Sequence, residues 1–173
     1  MTQEKLLSIA SQFALEGEIA SIDALGEGFI NDTFVVHTVG STPDYILQRK
    51  NHQIFPDVPG MMDNIQRVTT HIKAKVAAAG GDPMREVLTV VPAKDGKLYH
   101  KEGENFWAVC TFIEGSITHN VADTPRLAFM GGKGIGRFQA QLADFTEPLA
   151  EVIKGFHNIR WRFQQWDEAL AAD

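Results

Sequence analysis

Gly26-Glu27-Gly28-Phe29-Ile30-Asn31-Asp32-Thr33 stands between two short runs rich in β-branched and apolar residues, Ile19 to Leu25 and Thr33 to Val39. A third run, Tyr45-Ile46-Leu47-Gln48-Arg49-Lys50-Asn51, follows the turn signal Gly40-Ser41-Thr42-Pro43-Asp44. Runs of this length bounded by Gly, Pro and Asp read as strands, and short connections favour antiparallel neighbours. A Gly-x-Gly turn lets the backbone approach a polyanion and aims amide N–H groups at it, and Asn31, Asp32 and Thr33 stand ready to add side-chain contacts. The same eight residues also suit an ordinary hairpin loop. A strand's period of two puts Leu47 and Arg49 on one face. Arg49 follows an apolar run, so its guanidinium emerges from a buried sheet, where a planar fork holds phosphate oxygens or a charged strand end simply meets solvent.

On the N-terminal side, Leu6, Leu7, Ile9, Ala10, Phe13 and Ala14 recur at three- and four-residue spacing, which predicts a short amphipathic helix ending near Gly17. On the other side, Pro59 opens a long helix whose face carries Met62, Ile65, Val68, Thr69, Ile72 and Val76, and Gly80-Gly81 ends it after Ala79. Strands are then predicted at Val87 to Val91, Lys97 to His100 and Phe106 to Ile113, with Asp95-Gly96 as a hairpin signal between the first two. Phe106-Trp107-Ala108-Val109-Cys110-Thr111-Phe112-Ile113-Glu114-Gly115 is the most apolar stretch and reads as a central strand ending in a connector. Beyond Thr124-Pro125 the pattern is helical, and a final helix covers Arg160 to Ala172. The change from mixed α and β to helix alone near residue 115 predicts two structural units, 1–115 and 116–173.

Composition sets outer limits. The chain has 173 residues, with 16 Lys+Arg against 22 Asp+Glu for a net charge of −6, and 44% hydrophobic content, which is that of an ordinary folded domain. The acidic balance and the lack of a basic stripe argue against nucleic acid as a partner. A single cysteine, Cys110, excludes an intrachain disulfide and a Cys-rich metal site. Met1 to Leu15 lacks the pattern of a signal peptide, and no run of about 18 apolar residues occurs, so no membrane partner and a cytoplasmic location are expected. Gly131-Gly132-Lys133-Gly134-Ile135-Gly136 superficially resembles a phosphate loop. No Ser or Thr follows Lys133 and no strand precedes it, so these glycines are expected to serve close helix packing. The six histidines show no metal-ligand spacing. No Gly-x-Ser-x-Gly elbow of a Ser-His-Asp hydrolase occurs, and the surroundings of Cys110 and Ser41 do not fit a sulfatase.

The order of the pieces is sharper than any one of them. A glycine-rich turn between two strands, a third strand with a cation, a long helix, then strands ending in Thr111-Phe112-Ile113-Glu114-Gly115 resembles a protein-kinase-like small lobe. The sequence is similar to the aminoglycoside phosphotransferase superfamily and, within it, resembles the N-acetylhexosamine 1-kinase group. The likeness is carried by Gly26 to Phe34, Tyr45 to Asn51, Asp63 to Thr69, Gly136 to Phe145 and Gly155 to Arg160.

That resemblance implies an α+β fold, a kinase-like small lobe followed by the first helices of an incomplete helical lobe. It implies ATP as cofactor, with Gly26, Gly28, Asn31, Asp32 and Thr33 covering the phosphates and Leu47 lining the adenine pocket. Arg49 would stand where kinases place a lysine, with Asp63 as its ion-pair partner. Thr111 and Ile113 would offer backbone hydrogen bonds to adenine, with Cys110 behind them, and His157 and Arg160 would lie near a sugar substrate. The implied reaction is phosphoryl transfer to the anomeric hydroxyl of an N-acetylated hexose, with Mg²⁺ neutralising developing charge. The family's His-Gly-Asp loop and its following Asn and Asp, which supply the base and the Mg²⁺ ligands, are absent here. The expectation is therefore a truncated, inactive part of a sugar kinase, with apolar faces on its last helices open to self-association. The alternative is a non-catalytic nucleotide-sensing or protein-interaction module.

Overall fold

Three strands form where the β-branched runs alternate: β1 (Ile19–Ala24), β2 (Asp32–Thr38) and β3 (Tyr45–Lys50). The computed structural model describes residues 1–26 and 30–172. The chain begins with α1 (Gln3–Ala10), capped by the Thr2 side chain, and β3 leads into α2 (Val58–Ala78), capped by Asp57 with proline in its first turn. There follow the single turn α3 (Pro83–Glu86), β4 (Val90–Val91), β5 (His100–Glu102) and β6 (Asn105–Thr111). Two helices, α4 (Pro125–Leu142) and α5 (Ile159–Ala172), complete the chain.

All six strands join one antiparallel sheet in the order β1-β2-β3-β6-β4, with β5 also paired to β6. Its two faces meet different helices. Tyr45 and Leu47 of β3 and Trp107 and Val109 of β6 pack with Leu6, Ile9 and Phe13 beneath α1. On the opposite face Ala108 and Val90 pack with Val58 and Met62 of α2. A third cluster, Ile72, Val76 and Val87 with Leu142 at its edge, joins the end of α2 to α4.

Several elements depart from the sequence expectation, each for a local reason. The first helix stops seven residues before Gly17. The chain turns at Ser11 so that Phe13 bridges Ala93, Ala14 N–H donates to Pro92 and Lys94 N–H donates to the Gln12 carbonyl. Asp95-Gly96 does make a turn, with Gly96 in the left-handed region at φ 84° and Ala93 N–H donating to Lys97. The strands on either side of it do not pair with each other, since both β4 and β5 use the same edge of β6. The hairpin lies instead at Gly103-Glu104, between β5 and β6, with Gly103 at φ 56°. Residues 87–89, expected as strand, are drawn away because Asp82 and Pro83 start α3 and Val87 becomes its cap. The four glycines of α4 lie within a helix, as the missing strand implied, but a Cβ at any of them would meet nothing within 4 Å, so close packing is not their role in this structure. Neither α4 nor α5 has a buried residue, and Phe129, Ile135, Phe163 and Trp166 are exposed. No helix among the described residues is long and apolar enough to cross a membrane.

The sheet depends on the side chains under α1. Leu47→Ala removes a completely buried side chain from the central strand and should lower unfolding free energy by about 2–5 kcal/mol. Trp107 is as deeply placed, but its indole N–H has no acceptor among the described residues. Trp107→Phe should therefore cost less than Leu47→Ala, because a buried unsatisfied donor leaves with the ring. Urea denaturation of the two variants measures the order.

Candidate nucleotide-binding cleft

The register of β3 decides which side chains meet on the open face of the sheet. Ile46 pairs with Cys110, Gln48 with Ala108 and Lys50 with Phe106, whereas Arg49 pairs with Trp107 on the face beneath α1. Ala108 belongs to the α2 cluster, so Ile46, Gln48, Lys50 and Cys110 all look toward α2. Alternation also places Thr33 and Val35 there, opposite Gln48 and Ile46. On this face Val35 and Ala108 are buried and Ile46 and Cys110 partly buried, with a polar row at the end of β3.

That row is bonded in sequence. Lys50 Nζ donates to Gln48 Oε1 at 2.6 Å, and Gln48 Nε2 donates to Thr33 Oγ1 at 3.1 Å. Lys50 has no carboxylate partner among the described residues. Burial pushes its ammonium below the ordinary lysine value, with Cys110 acting in the other direction. Burial likewise pushes the Cys110 thiol up, and the nearby Lys50 opposes this. This half-buried ammonium borders a cavity of about 210 Å³ at the end of β3 that Asp32, Arg49, His52 and Asn105 also line, so two cations and one carboxylate face the same space. A larger cavity, about 480 Å³, lies between α2, α3 and α4. It is mostly apolar and has the Arg137–Glu86 ion pair, 2.6 Å, at its lining, so it offers no free charge.

The residues singled out in the sequence fall into three groups. Thr33 lies on the open face, and Ile113 follows β6 with no backbone partner for its N–H among the described residues. Gly26 holds φ 65° with open space around it, which suits a glycine-dependent turn, whereas Gly28 lies outside the described residues.

The second group already has partners, although Arg49 and Asp32 line a cavity of about 390 Å³ together with Gly26 and Thr33. Arg49 binds Asp32 through Nε at 2.6 Å and through Nη2, and reaches Asn105 at 3.4 Å, so both members of the pair are neutralised. Asp63 pairs with Arg67 one turn along α2, at 3.0 Å, and not with Arg49, because α2 covers the opposite face of the sheet. Leu47 is sealed under α1 and lines no open pocket. Asn31 accepts from Asn51 N–H at 3.0 Å, tying the turn to the end of β3. Thr111 N–H donates to the Thr89 carbonyl at 2.9 Å, so that donor is already used.

The third group is remote. His157 stacks edge-on against Phe156, and Arg160 is exposed in the first turn of α5; neither forms a hydrogen bond or ion pair among the described residues. Sequence reading missed Gln48 and Lys50. The signal was present, since strand alternation counted from the Trp107 and Leu47 core puts Lys50 on the other face.

A spectinomycin phosphotransferase, in a crystal structure with ADP and spectinomycin, has a similar fold at TM-score 0.51 and 12% identity. The superposition covers 86% of this chain and 39% of that protein. The fold is kinase-like. The protein matches no protein-family model. In that kinase-like frame, the sheet with α2 on one face is the small lobe, and the Lys50 face is the side on which α2 sits.

The charge arrangement is open to a direct measurement. Lys50→Met removes the cation that favours the Cys110 thiolate, so the pH midpoint for alkylation of Cys110 by iodoacetamide should move further upward. Arg49→Met, on the opposite face, should leave that midpoint in place.

Proposed function

We propose that this chain is the nucleotide-binding part of an ATP-dependent small-molecule kinase, with residues 1–115 forming the nucleotide lobe and 116–173 the start of a helical lobe. The observation that carries the reading is Lys50, a half-buried cation without a carboxylate partner among the described residues, on the α2 face of a kinase-like sheet. Lys50 and Thr33 would hold phosphate oxygens, Val35 and Ile46 would contact the adenine ring, and the free Ile113 N–H would meet its edge. The turn at Gly26 would close over the phosphates. Arg49 and Asp32, which bind each other, would brace that turn from the outer face. Bound Mg²⁺ would neutralise charge on the transferring phosphoryl group. No group of three or more His, Cys, Asp or Glu among the described residues is placed to hold a metal.

The acceptor we propose is the anomeric hydroxyl of an N-acetylhexosamine. Support comes from the sequence likeness at Gly26 to Phe34, Tyr45 to Asn51 and Gly155 to Arg160, with His157 and Arg160 toward the sugar. The chain spans 39% of the length of the phosphotransferase it resembles in fold, and it contains no His-Gly-Asp segment. We therefore expect binding of ADP and ATP by this polypeptide without phosphorylation of N-acetylglucosamine or N-acetylgalactosamine. Turnover above background would overturn the inactive reading.

Calorimetric titration with ADP tests the site itself. Lys50→Met should weaken binding by about tenfold or more, as expected for a lost hydrogen bond to a charged group, worth ~1.5–3 kcal/mol. Arg49→Met should weaken it much less. A larger loss at Arg49 than at Lys50, or no binding to the unaltered chain, would reject the assignment.

The lowered Lys50 value gives the pH dependence its sign. An anion favours the ammonium form, so binding takes up protons wherever free Lys50 is partly neutral. Affinity should fall as pH rises through the Lys50 titration, and Lys50→Met should abolish that slope.

The exposed apolar side chains of α4 and α5 also support self-association. Light scattering at increasing concentration should show growth in mass, which Phe138→Glu with Phe163→Glu should suppress.

A further inference from the structure

Along α2, Asn64, Arg67, His71 and Lys75 follow one another at spacings of three and four, so they form one stripe. It is a different stripe from Val58, Met62, Ile72 and Val76, which are buried. The chain leaving α4 runs antiparallel along it and contacts every member. Lys75 and His71 both meet Asp144, the latter at 3.1 Å, and His71 also meets the Gln141 carbonyl at 3.1 Å. Phe145 packs edge-on against the His71 ring at 5.2 Å. Arg67 pairs with Glu147 at 3.4 Å and donates to the Pro148 carbonyl. Finally Asn64 makes two bonds to the backbone of Ala150, donating from Nδ2 to its carbonyl and accepting from its N–H, each at 2.9 Å.

The pattern has a direction and a charge logic. Cations on the helix meet acids on the strap, and the last rung is a neutral pair of hydrogen bonds that mimics one step of a β-ladder. Side chains three to eleven residues apart on α2 are matched in reverse order by residues 144 to 150, which chance contacts of a loose loop would not produce.

The opposite flank of α2 meets the sheet less completely. Between Met62, Ile65 and Leu88 on one side and Gln48, Lys50 and Cys110 on the other lies a cavity of about 40 Å³. Packing here can change by a small shift of the helix, since Met62 is its buried anchor and Ile65 is only partly buried.

We propose that residues 144–150 act as a strap that sets the position of α2 over the Lys50–Cys110 cavity, which makes Asn64, Arg67 and His71 positioning residues of the cleft. The strap ties the segment after α4 to the nucleotide face of the sheet without touching that face. Its effect on nucleotide affinity rests on the function proposed above, whereas its effect on the cavity does not.

The sole cysteine supplies an independent readout, because Cys110 lines the cavity on the sheet side. Three quantities are measured in the unaltered chain, in Asn64→Ala and in Asn64→Ala with Asp144→Asn: amide hydrogen exchange at Ala150, alkylation of Cys110 by iodoacetamide, and ADP affinity. The expected result is faster exchange at Ala150, several-fold faster alkylation of Cys110 and several-fold weaker ADP binding, with a thermal melt that stays cooperative. Fast exchange at Ala150 with unchanged Cys110 alkylation would overturn the proposal. Should the double variant lose its cooperative melt, the unaltered chain in added salt decides, because salt weakens the exposed ionic rungs but not the Asn64 pair. Alkylation should then rise with salt in Asn64→Ala more than in the unaltered chain, and an equal salt response would count against the strap. If the unaltered chain binds no ADP while Cys110 alkylation still follows the strap, the nucleotide function fails and the strap stands.

Discussion

The alternation of side chains along β3 is the constraint on which the rest of the molecule depends. Tyr45 and Leu47 are sealed under α1, and this fixes Ile46, Gln48 and Lys50 on the other face. A slip of one residue would take Tyr45 and Leu47 out of the core under α1 and onto the opposite face, so the register is strongly specified. β3 is held on both sides, by β2 and by β6, which is why a single choice of phase is imposed on three strands at once. The chemistry of the cleft follows from that phase and not from any single reactive residue.

Two adjacent cations consequently have opposite circumstances. Arg49 finds Asp32 directly across the β2–β3 pair, and its Nε and Nη2 both meet Asp32 Oδ2. Among the described residues Lys50 bonds to Gln48, an uncharged acceptor. A half-buried charge with neutral partners retains an unmet demand for an anion, and burial lowers its tendency to stay protonated until one arrives. Arg49 is bonded to Asp32 beside the turn, whereas Lys50 has no carboxylate partner among the described residues.

Much of this was legible from residues alone, because the signals were local. Pro59, Thr124-Pro125 and the alternating runs of β1 to β3 placed the starts of α2 and α4 and those three strands within a residue or two, whereas α1 ends seven residues short of Gly17. The α2 boundary is set by its cap and its glycines and needed no tertiary information. The hairpin at Asp95-Gly96 was misplaced because a good turn sequence says nothing about whether its flanks share an edge, and here both flanks were claimed by β6. Asp63 was misassigned for a similar reason. Its partner could be chosen only by knowing which face of the sheet α2 covers, and Arg67 stood one turn away on the same helix. The strap residues carried no sequence signal, since Asn64 and Ala150 are 86 positions apart.

The glycines of α4 show where local reasoning and tertiary context part. Gly131, Gly132, Gly134 and Gly136 lower helix propensity by roughly 1 kcal/mol each against alanine, yet the helix runs unbroken through them. Nothing packs on them here, so their loss of propensity is not recovered by contacts of the glycines themselves. The helix is held at its two ends instead, by the Thr124 cap at the start and by Leu142, Arg137 and the strap near the finish. Gly134 lines the cavity of about 480 Å³ between α2, α3 and α4, so its missing side chain leaves that space open.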